Sequence, residues 1–142
     1  MKLTGPFISQ LSVAVPIHVL VIEDNDGDVK LIQQSFKECS LPVNVTVAHD
    51  GEAGLRLLAD TTYRPHLVIL DLNLPKLPGL EVLAQANRAD IAVVIFSSSC
   101  SPAEIKSAME LGARECIRKP SDIGAFIYAV CSMLEKWVGA WP

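Results

Sequence analysis

Acidic side chains follow two runs of apolar residues in this sequence, at the point where each run ends. Glu23 and Asp24 come directly after residues 17–22. Asp71 comes directly after residues 67–70. Short runs of branched apolar residues are typical of strands that are buried on both faces of a parallel sheet. Because ligands bind outside the carboxyl ends of such strands, these carboxylates are the first candidates for chemistry, and Asp71 is the principal one.

Two further predicted strands also end on polar side chains. Ser97 follows the apolar run 92–96, and Lys119 follows the more polar run 115–118. The carboxyl ends of parallel strands share one edge of a sheet, so we expect Ser97 and Lys119 beside the acidic residues. An ammonium group can neutralise a bound phosphoryl group, and a hydroxyl group can donate a hydrogen bond to a phosphoryl oxygen.

Three carboxylates at one edge of a sheet need a cation. Two carboxylates about 4 Å apart repel each other by ~1 kcal/mol in water and by ~4 kcal/mol at an effective dielectric constant of about 20. Oxygen ligands that retain bound water suit Mg²⁺, which prefers one or two carboxylates together with phosphate oxygens. We therefore expect Mg²⁺ to bind among Glu23, Asp24 and Asp71.

Each of these residues, taken alone, also has an ordinary structural explanation. Glu23 and Asp24 could be a solvated helix start, and Asp71 could cap the turn that precedes a proline. Ser97 could simply end its strand, and Lys119 could be an exposed charge, as most lysines are. The functional interpretation therefore depends on their convergence at one edge.

Alternating strands and helices must position these residues. The predicted strands are residues 17–22, 43–47, 67–70, 92–96 and 115–118. The first predicted helix buries Val29, Ile32 and Phe36, and the second is short, contains Gly54 and ends near Asp60. The third opens at Pro78-Gly79 and is expected to bury Leu80, Leu83 and Ala84. The fourth runs from the capping box Ser101-Pro102-Ala103-Glu104 to Gly112. The fifth is capped by Ser121-Asp122 and has one apolar face, formed by Phe126, Val130, Met133, Leu134 and Trp137.

The polarity of the strands predicts their order in the sheet. Residues 17–22, 67–70 and 92–96 are nearly continuous apolar runs and should be interior strands. Residues 43–47 and 115–118 carry polar side chains and should be edge strands. With right-handed crossovers, the sequence predicts an α/β fold with a five-stranded parallel sheet in the order 2-1-3-4-5 and five helices on both faces.

Length and composition fit one domain. Of the 142 residues, 50% are hydrophobic, and we expect an N-terminal extension over residues 1–16 followed by a domain over residues 17–142. Gly5-Pro6 and Ser9-Gln10 interrupt the extension, so we do not expect a signal peptide, and no apolar run reaches the roughly 18 residues of a membrane span. The net charge of -4 and the scattered basic residues argue against direct nucleic-acid binding.

The cysteines are far apart in sequence and form no Cys-x-x-Cys pair. Three of them lie within predicted regular structure, so all four are expected to be buried thiols of a cytoplasmic protein: Cys39, Cys100, Cys116 and Cys131. The three histidines lie far from one another and from paired cysteines, which argues against a zinc site.

Together, these motifs resemble those of response regulator receiver domains, and the resemblance covers residues 17–138. The matching motifs are Glu23-Asp24 after the first strand, Asp71-Leu-Asn73-Leu-Pro75 with Gly79 after the third, Ser97 after the fourth and Lys119-Pro120 after the fifth. The turn that begins at Glu23-Asp24 and the phrase Asp71-Leu-Asn-Leu-Pro-Lys76 are further similar to those of single-domain regulators associated with bacterial phytochrome kinases. Pro78 departs from that pattern, because an acidic or polar residue usually precedes the glycine.

The resemblance implies a flavodoxin-like receiver fold and a set of site residues. It implies that Asp71 accepts a phosphoryl group from a sensor histidine kinase, with a phytochrome as one candidate kinase. It implies that Asp24, Asp71 and the backbone carbonyl of Asn73 bind Mg²⁺ directly, and that Glu23 binds Mg²⁺ through water.

The resemblance also implies that Lys119, followed by a cis peptide bond to Pro120, senses the phosphorylated state. In most receiver domains the residue three positions before this lysine is Tyr or Phe, whose ring turns inward on activation. Cys116 occupies that position here, so the aromatic part of the switch is absent. We therefore hypothesise that signalling relies on the loops after the third and fourth strands.

Four functions compete on the sequence alone. The leading one is a cytoplasmic phosphoacceptor switch without an attached output domain, since only a helix and a short tail follow Pro120; its output is a changed protein–protein interaction. The alternative is a receiver-like interaction module that is not phosphorylated, which loss of Asp71 or Lys119 would have favoured. The third function is a hydrolase with an aspartyl-phosphate intermediate, but such enzymes generally need a second acid where Asn73 stands. The fourth is a flavin-binding flavodoxin-like protein, but the acidic residues would repel the phosphate of the flavin cofactor unless a metal intervened. An uncovered apolar face of the last helix could form a homodimer.

Overall fold

The structure, a computed structural model, describes residues 16–39 and 41–138 as an α/β domain. The strands are β1 (Ile17–Ile22), β2 (Val43–Ala48), β3 (Leu67–Leu70), β4 (Ala92–Ser97) and β5 (Glu115–Arg118). The helices are α1 (Asp26–Glu38), α2 (Gly51–Leu58), α3 (Gly79–Ala86), α4 (Pro102–Glu110) and α5 (Ile123–Trp137). The proposed extension, residues 1–16, lies outside the described residues except for Pro16.

The five strands form one parallel sheet in the order β2-β1-β3-β4-β5, which confirms the predicted topology. All residues of β3 and β4 are buried, and all residues of β1 except His18 are buried. The edge strand β2 alternates half-buried valines with exposed Asn44 and Thr46, and β5 has no fully buried residue. Continuous apolar sequence therefore identified the interior strands, because helices cover both faces of the sheet.

The two faces of the sheet have separate hydrophobic cores. One core lies under α1 and α5 and joins Val19 of β1 and Ile69 of β3 to Phe126 of α5. The other lies under α2, α3 and α4 and contains Leu20 and Leu70. Successive strand residues point to opposite faces, so each interior strand contributes to both cores.

The buried side of α3 differs from the predicted one. Its buried residues are Gly79, Val82 and Leu83, whereas Leu80 is half-buried and Ala84 is exposed. The helix begins with Gly79 packed directly against the backbone that follows β3, where a Cβ atom would meet the backbone of Asp71 and Leu72. That close contact sets the rotation of the helix, so positions i, i+3 and i+4 counted from Gly79 face the core.

Most helix ends follow the predicted capping chemistry. At the start of α4, Ser101 Oγ accepts a hydrogen bond from Glu104 N–H (3.1 Å), and the Glu104 carboxylate accepts one from Ser101 N–H (2.9 Å). This reciprocal capping box stabilises a helix by about 1 kcal/mol. The helix ends at Glu110, before the predicted Gly112, and Gly112 adopts a φ of 103°, which favours glycine. Asp122 caps α5 through Ala125 N–H (2.8 Å), as predicted.

The glycine within α2 has a packing role. A Cβ atom at Gly54 would lie 2.7 Å from Ile22 Cδ1, so glycine allows the helix to approach β1 closely. This contact compensates for the low helix propensity of glycine, and α2 forms over Gly51–Leu58 as expected. Within the described ranges, every helix is too short or too polar to span a bilayer.

The prediction of four buried thiols is wrong for two cysteines, which form a disulfide, and is confirmed in full only for Cys100. Cys39, directly after α1, and Cys131, in α5, are joined by a disulfide bond with a Cα–Cα distance of 5.7 Å. Both residues are half-buried, whereas Cys100 is a buried free thiol and Cys116 is a half-buried free thiol. The bonded cysteines are 92 residues apart in sequence and meet because α1 and α5 pack side by side, which sequence spacing alone could not show.

Candidate functional site

Backbone hydrogen bonds place the predicted site residues at one edge of the sheet. Asp71 N–H donates to the Ile22 carbonyl (3.1 Å), and Lys119 N–H donates to the Ser97 carbonyl (2.9 Å). Glu23 N–H likewise donates to the carbonyl of the last residue of β2 (2.9 Å). The parallel ladder thus continues one residue beyond β1, β3 and β5, so these polar residues are fixed by the sheet.

The carboxylates that follow β1 and β3 form one cluster. Glu23, Asp24 and Asp71 each offer an oxygen atom, and these atoms lie within 4.8 Å of one another. Glu23 and Asp71 are only 2% and 5% exposed, whereas Asp24 is exposed. The cluster has oxygen donors alone and is open at Asp24, which fits a hard divalent cation that retains water.

The Lys119 ammonium lies at the centre of the acidic residues. Its Nζ contacts Glu23 Oε1 at 2.5 Å, Asp28 Oδ2 at 2.7 Å and Asp71 Oδ2 at 3.0 Å, and its side chain is 6% exposed. A buried ammonium has three donors, and all three are used here. The lysine thus neutralises part of the charge that the clustered carboxylates carry.

Asp28 was not among the residues predicted for this site. It lies in the first turn of α1, and its backbone N–H donates to Asn25 Oδ1 at 2.9 Å, so it belongs to the helix cap as well as to the site. The available sequence signal was its position in the helix that begins directly after the Glu23-Asp24 turn. Acidic residues are so common in first helical turns that this signal pointed to capping.

Three donors hold the Asp71 carboxylate. Ser97 Oγ donates to Asp71 Oδ1 at 2.7 Å, and Asn73 N–H donates to the same oxygen at 3.1 Å. Asn73 Nδ2 in turn donates to Ser97 Oγ at 3.3 Å. Lys119 contacts the other oxygen, so both oxygens of Asp71 have partners on this chain. These contacts therefore fix the orientation of the Asp71 side chain.

These contacts push the pKa values of the two buried carboxyl groups in opposite directions. Burial raises the pKa of Asp71, but hydrogen bonds from Asn73 N–H, Ser97 and Lys119 outweigh it and leave the pKa below its usual value. Burial dominates at Glu23 and, with the nearby charge of Asp71, raises the pKa to about 7 against the opposing effect of Lys119. Asp71 is therefore ionised near neutral pH, while Glu23 is close to its midpoint.

The lysine itself remains charged. Burial lowers the pKa of Lys119, but its hydrogen bonds to Asp28 and Glu23 and the charges of Glu23 and Asp71 raise it above the ordinary lysine value. An ionised carboxylate at Asp71 beside a permanent ammonium at Lys119 is suited to receive an electrophilic phosphorus and to hold the added negative charge.

The loop after β3 is tied down on both sides of Asn73. Leu72 and Leu74 are buried in the core under α2 to α4, and Gly79 N–H donates to the Leu72 carbonyl at 2.9 Å. The predicted role of the Asn73 backbone carbonyl as a metal ligand remains a prediction. Its supporting observation is that Asn73 lies beside the carboxylate cluster, with its N–H bonded to Asp71.

Two expectations concern β5 and the residues after it: the place of Cys116 and the peptide bond before Pro120. Cys116 lies on β5, where its Sγ is 4.0 Å from Met109 Sδ of α4, and its thiol makes no contact with the carboxylate cluster in the described residues. The predicted cis peptide bond before Pro120 is wrong, because every described peptide bond is trans. With a trans bond at that position, Lys119 Nζ still reaches Asp71.

Comparisons with known proteins agree with this fold and site. Residues 19–130 match the response regulator receiver domain. The response regulator Rcp1 of Synechocystis sp. is 31% identical over 87% of this chain and 90% of that protein. The probable methanogenesis regulatory protein FilR2 of Methanothrix harundinacea is 30% identical over 87% of this chain and 85% of that protein.

Solved structures give the same result. The Mn²⁺-bound form of Rcp1 has a TM-score of 0.78 at 28% identity and covers 89% of this chain and 98% of its own. The phosphorylated cyanobacterial phytochrome response regulator RcpA has a TM-score of 0.80 at 29% identity and covers 90% of this chain and 98% of its own.

The fold and the clustered polar side chains thus define a signalling domain of the two-component type. The chain belongs to the response regulator receiver domain family. Its relatives include phytochrome-associated response regulators, which confirms the resemblance inferred from the sequence.

Proposed function

We propose that this receiver domain is a phosphoacceptor switch in which Asp71 accepts a phosphoryl group from the phosphohistidine of a sensor histidine kinase. The observation that carries this proposal is the setting of Asp71: its carboxylate is buried and oriented by Ser97, Asn73 and Lys119, and these hydrogen bonds hold its pKa below the usual value. A fixed anionic oxygen is the nucleophile that in-line phosphoryl transfer requires.

The chain's own residues can compensate the charge that phosphorylation adds. A phosphoryl group carries roughly -1.5 to -2 charges at neutral pH. Lys119 Nζ already touches Asp71 and can turn to a phosphoryl oxygen, and Ser97 Oγ can exchange the Asp71 oxygen for one on phosphorus. Charge-assisted hydrogen bonds contribute about 1.5–3 kcal/mol each, so two or three of them approach the ~5.5 kcal/mol that moves an equilibrium from 1:99 to 99:1.

Mg²⁺ is the cation proposed for the carboxylate cluster. Asp24, Asp71 and the Asn73 carbonyl would hold it directly, and Glu23 would hold it through water. When bound, Mg²⁺ supplies positive charge to the carboxylates and to the transferred phosphoryl oxygens. Proton release from Glu23, whose pKa is about 7, would favour cation binding as the pH rises.

The switch is proposed to use the loops after β3 and β4, because Cys116 has no ring to turn inward. Ser97 joins both loops to Asp71, so a change in its hydrogen bond reaches residues 72–79 and 97–103 directly. The test compares amide chemical shifts before and after phosphorylation. The largest changes should fall in these two loops, and changes centred on residues 115–118 would contradict this proposal.

The proposed partners follow from the phosphoacceptor function. The proposed phosphodonor is a sensor histidine kinase in the cytoplasm, with a phytochrome as candidate because RcpA is a phytochrome response regulator. The proposed receiver domain covers residues 17–142. Its proposed output is a changed interaction with another protein. A homodimer through α5 remains a second proposal, supported by the 63% exposure of Ile123 and the 75% exposure of Tyr128.

The experiment that tests the function is incubation with acetyl phosphate, with and without Mg²⁺, followed by intact-mass measurement. We expect the addition of one phosphoryl group that requires Mg²⁺ and is lost in Asp71→Asn, which keeps the shape but removes the nucleophile. The competing function, an interaction module that is never phosphorylated, predicts no mass change with acetyl phosphate or with a phosphorylated kinase.

A further inference from the structure

The disulfide between α1 and α5 lies outside the phosphoacceptor site. Cys39 directly follows α1 and Cys131 lies in the middle of α5, and the two helices pack over the same core. The helices have a second connection at their other ends, where Asp28 of α1 contacts Lys119, which precedes α5. Cys39 is 11 residues after Asp28, and Cys131 is 12 residues after Lys119. The disulfide bond therefore joins the same two chain segments as the ion pair, at nearly the same number of residues further along each segment.

Of the two bonded cysteines, only Cys39 lines a groove that is open to solvent. Cys39 lines an open groove of about 550 Å³ between α1 and β2, and Cys131 is not among the residues of that groove. The other residues that line the groove are apolar except for two: Gln33, Phe36, Lys37, Leu41, Val43 and Val45. The exposed Lys37 also lines this groove, which makes the groove the proposed route by which a small anionic thiolate reaches the Cys39 sulfur.

We propose that Cys39 and Cys131 are a reversible thiol–disulfide pair whose reaction partner is a low-molecular-weight thiol or its disulfide, and that exchange takes place at Cys39. In cytosolic proteins, disulfides are usually transient and redox-sensing. The pair gives this domain a second covalent state, chemically independent of Asp71. The proposal does not depend on the phosphoacceptor function.

The reduction proceeds in two balanced steps. A thiolate attacks Cys39 Sγ and forms a mixed disulfide, the Cys39–Cys131 bond breaks, and the Cys131 sulfur leaves as a thiolate that takes a proton from solvent. A second thiolate attacks the external sulfur of the mixed disulfide, releasing the external disulfide and the Cys39 thiolate. Two external thiols thus supply the two electrons, and oxidation by the external disulfide is the reverse sequence.

The buried backbone of α1 accommodates both states. The Ser35 carbonyl oxygen is 3.1 Å from Cys39 Sγ and 3.6 Å from Cys131 Sγ. Disulfide sulfurs carry no hydrogen, whereas in the dithiol state each S–H can donate to this oxygen. The Ser35 carbonyl oxygen can therefore serve as a polar partner for the thiols after reduction.

The remaining cysteines provide internal controls. Cys100 is buried, and Cys116 is half-buried in contact with Met109, with its pKa raised by burial and by neighbouring negative charge. A thiol that stays protonated reacts slowly in exchange. We therefore expect these two residues to remain thiols under conditions that close the Cys39–Cys131 bond.

The first test follows the chemistry in the full-length protein. Samples equilibrated in reduced and oxidised glutathione are alkylated and measured by intact mass, and four labels should fall to two on oxidation. Cys131→Ser with oxidised glutathione should gain one glutathione on Cys39, at least tenfold faster than Cys39→Ser gains one on Cys131. Equal rates, or a number of labels that stays the same at every glutathione ratio, would overturn the proposal.

The second test measures the connection between the helices. Closing a long loop with a disulfide typically shifts an unfolding equilibrium by about 30- to 1,000-fold, and this bond spans 92 residues. Urea unfolding with and without reductant should show such a shift in the wild type and in Cys116→Ser, and none in Cys39→Ser. Because serine is close to cysteine in size and cannot form a disulfide, a folded Cys39→Ser with undiminished reductant sensitivity would contradict the assignment.

Discussion

Replacing Lys119 with methionine removes the ammonium that holds three carboxylates together while keeping most of the side-chain volume. Lys119 Nζ contacts Glu23, Asp28 and Asp71 within 3.0 Å, and its side chain is 6% exposed. In the variant these carboxylates lose their shared partner, and two of them remain buried. The expected effects are a loss of stability and a greater dependence of stability on divalent cations.

The size of the loss follows from burial. Removing one partner of a buried ion pair costs about 3–5 kcal/mol, because the remaining charge is buried without compensation. Glu23, with a pKa of about 7, can relieve part of this cost by binding a proton, so we expect about 3 kcal/mol at neutral pH. The loss should decrease as the pH falls, because protonation of Glu23 removes one of the repelling charges.

The assay is urea unfolding at neutral pH over a series of MgCl₂ concentrations. A cation that binds only the folded state stabilises it by about 2.7 kcal/mol at 100 times its dissociation constant. Mg²⁺ should restore more stability to Lys119→Met than to the wild type, because it replaces the missing positive charge. The matched control is Lys76→Met, which breaks the pair between exposed Lys76 and half-buried Asp50 (3.5 Å) and should cost less than 1 kcal/mol. Equal losses in the two variants, without extra stabilisation by Mg²⁺, would refute this reasoning.

Three further predictions concern hydrogen bonding, packing and pH. Ser97→Ala should slow phosphorylation by acetyl phosphate about 10- to 100-fold, because one charge-assisted hydrogen bond is lost; mass spectrometry over time measures the rate. Gly79→Ala should destabilise the fold by more than 2 kcal/mol in urea unfolding, because its Cβ would overlap backbone atoms, whereas exposed Gly27→Ala should change stability by less than 1 kcal/mol. Burial and the neighbouring His18 lower the pKa of His66, so its contribution to stability is present above the ordinary pKa of 6.5 and is lost as the pH falls through the lowered value.

The pH prediction has a direct structural cause. His18 N–H donates to His66 Nδ1 at 2.9 Å, and a protonated Nδ1 cannot accept that hydrogen bond. His66→Asn retains an acceptor near the position of Nδ1 but does not titrate. The variant should therefore lose less stability than the wild type between pH 7 and pH 5, and identical profiles would show that His66 does not contribute.

The control for the Ser97 prediction is the exposed Ser98→Ala. Equal phosphorylation rates for Ser97→Ala and Ser98→Ala would exclude a role for the Ser97 hydroxyl.

The strands and their order could be predicted because each interior strand is buried on both faces and ends on a polar residue. Helix starts such as Ser101 were predictable for a local reason, since the capping residues are neighbours in sequence. The same reasoning brought Glu23, Asp71 and Lys119 to one edge of the sheet, and the structure joins them there.

The features that sequence reasoning missed depend on contacts between distant segments. Asp28 was assigned only to a helix start, because its contact with Lys119 is made across 91 residues. The rotation of α3 is set by the backbone against Gly79, and hydrophobic spacing alone placed Ala84 on the wrong side. The Cys39–Cys131 bond depends on how two helices pack on one face of the sheet, for which neither helix carries a local signal.

The central claim is that Asp71, held by Ser97 and Lys119 beside a cation site, is the residue that takes the phosphoryl group. The most direct measurement is residue-level mapping by tandem mass spectrometry after treatment with acetyl phosphate and Mg²⁺. We expect a single modified residue, Asp71, and no modification in Asp71→Asn or without Mg²⁺. A phosphoryl group on another residue of the wild type, or unchanged labelling of Asp71→Asn, would contradict it.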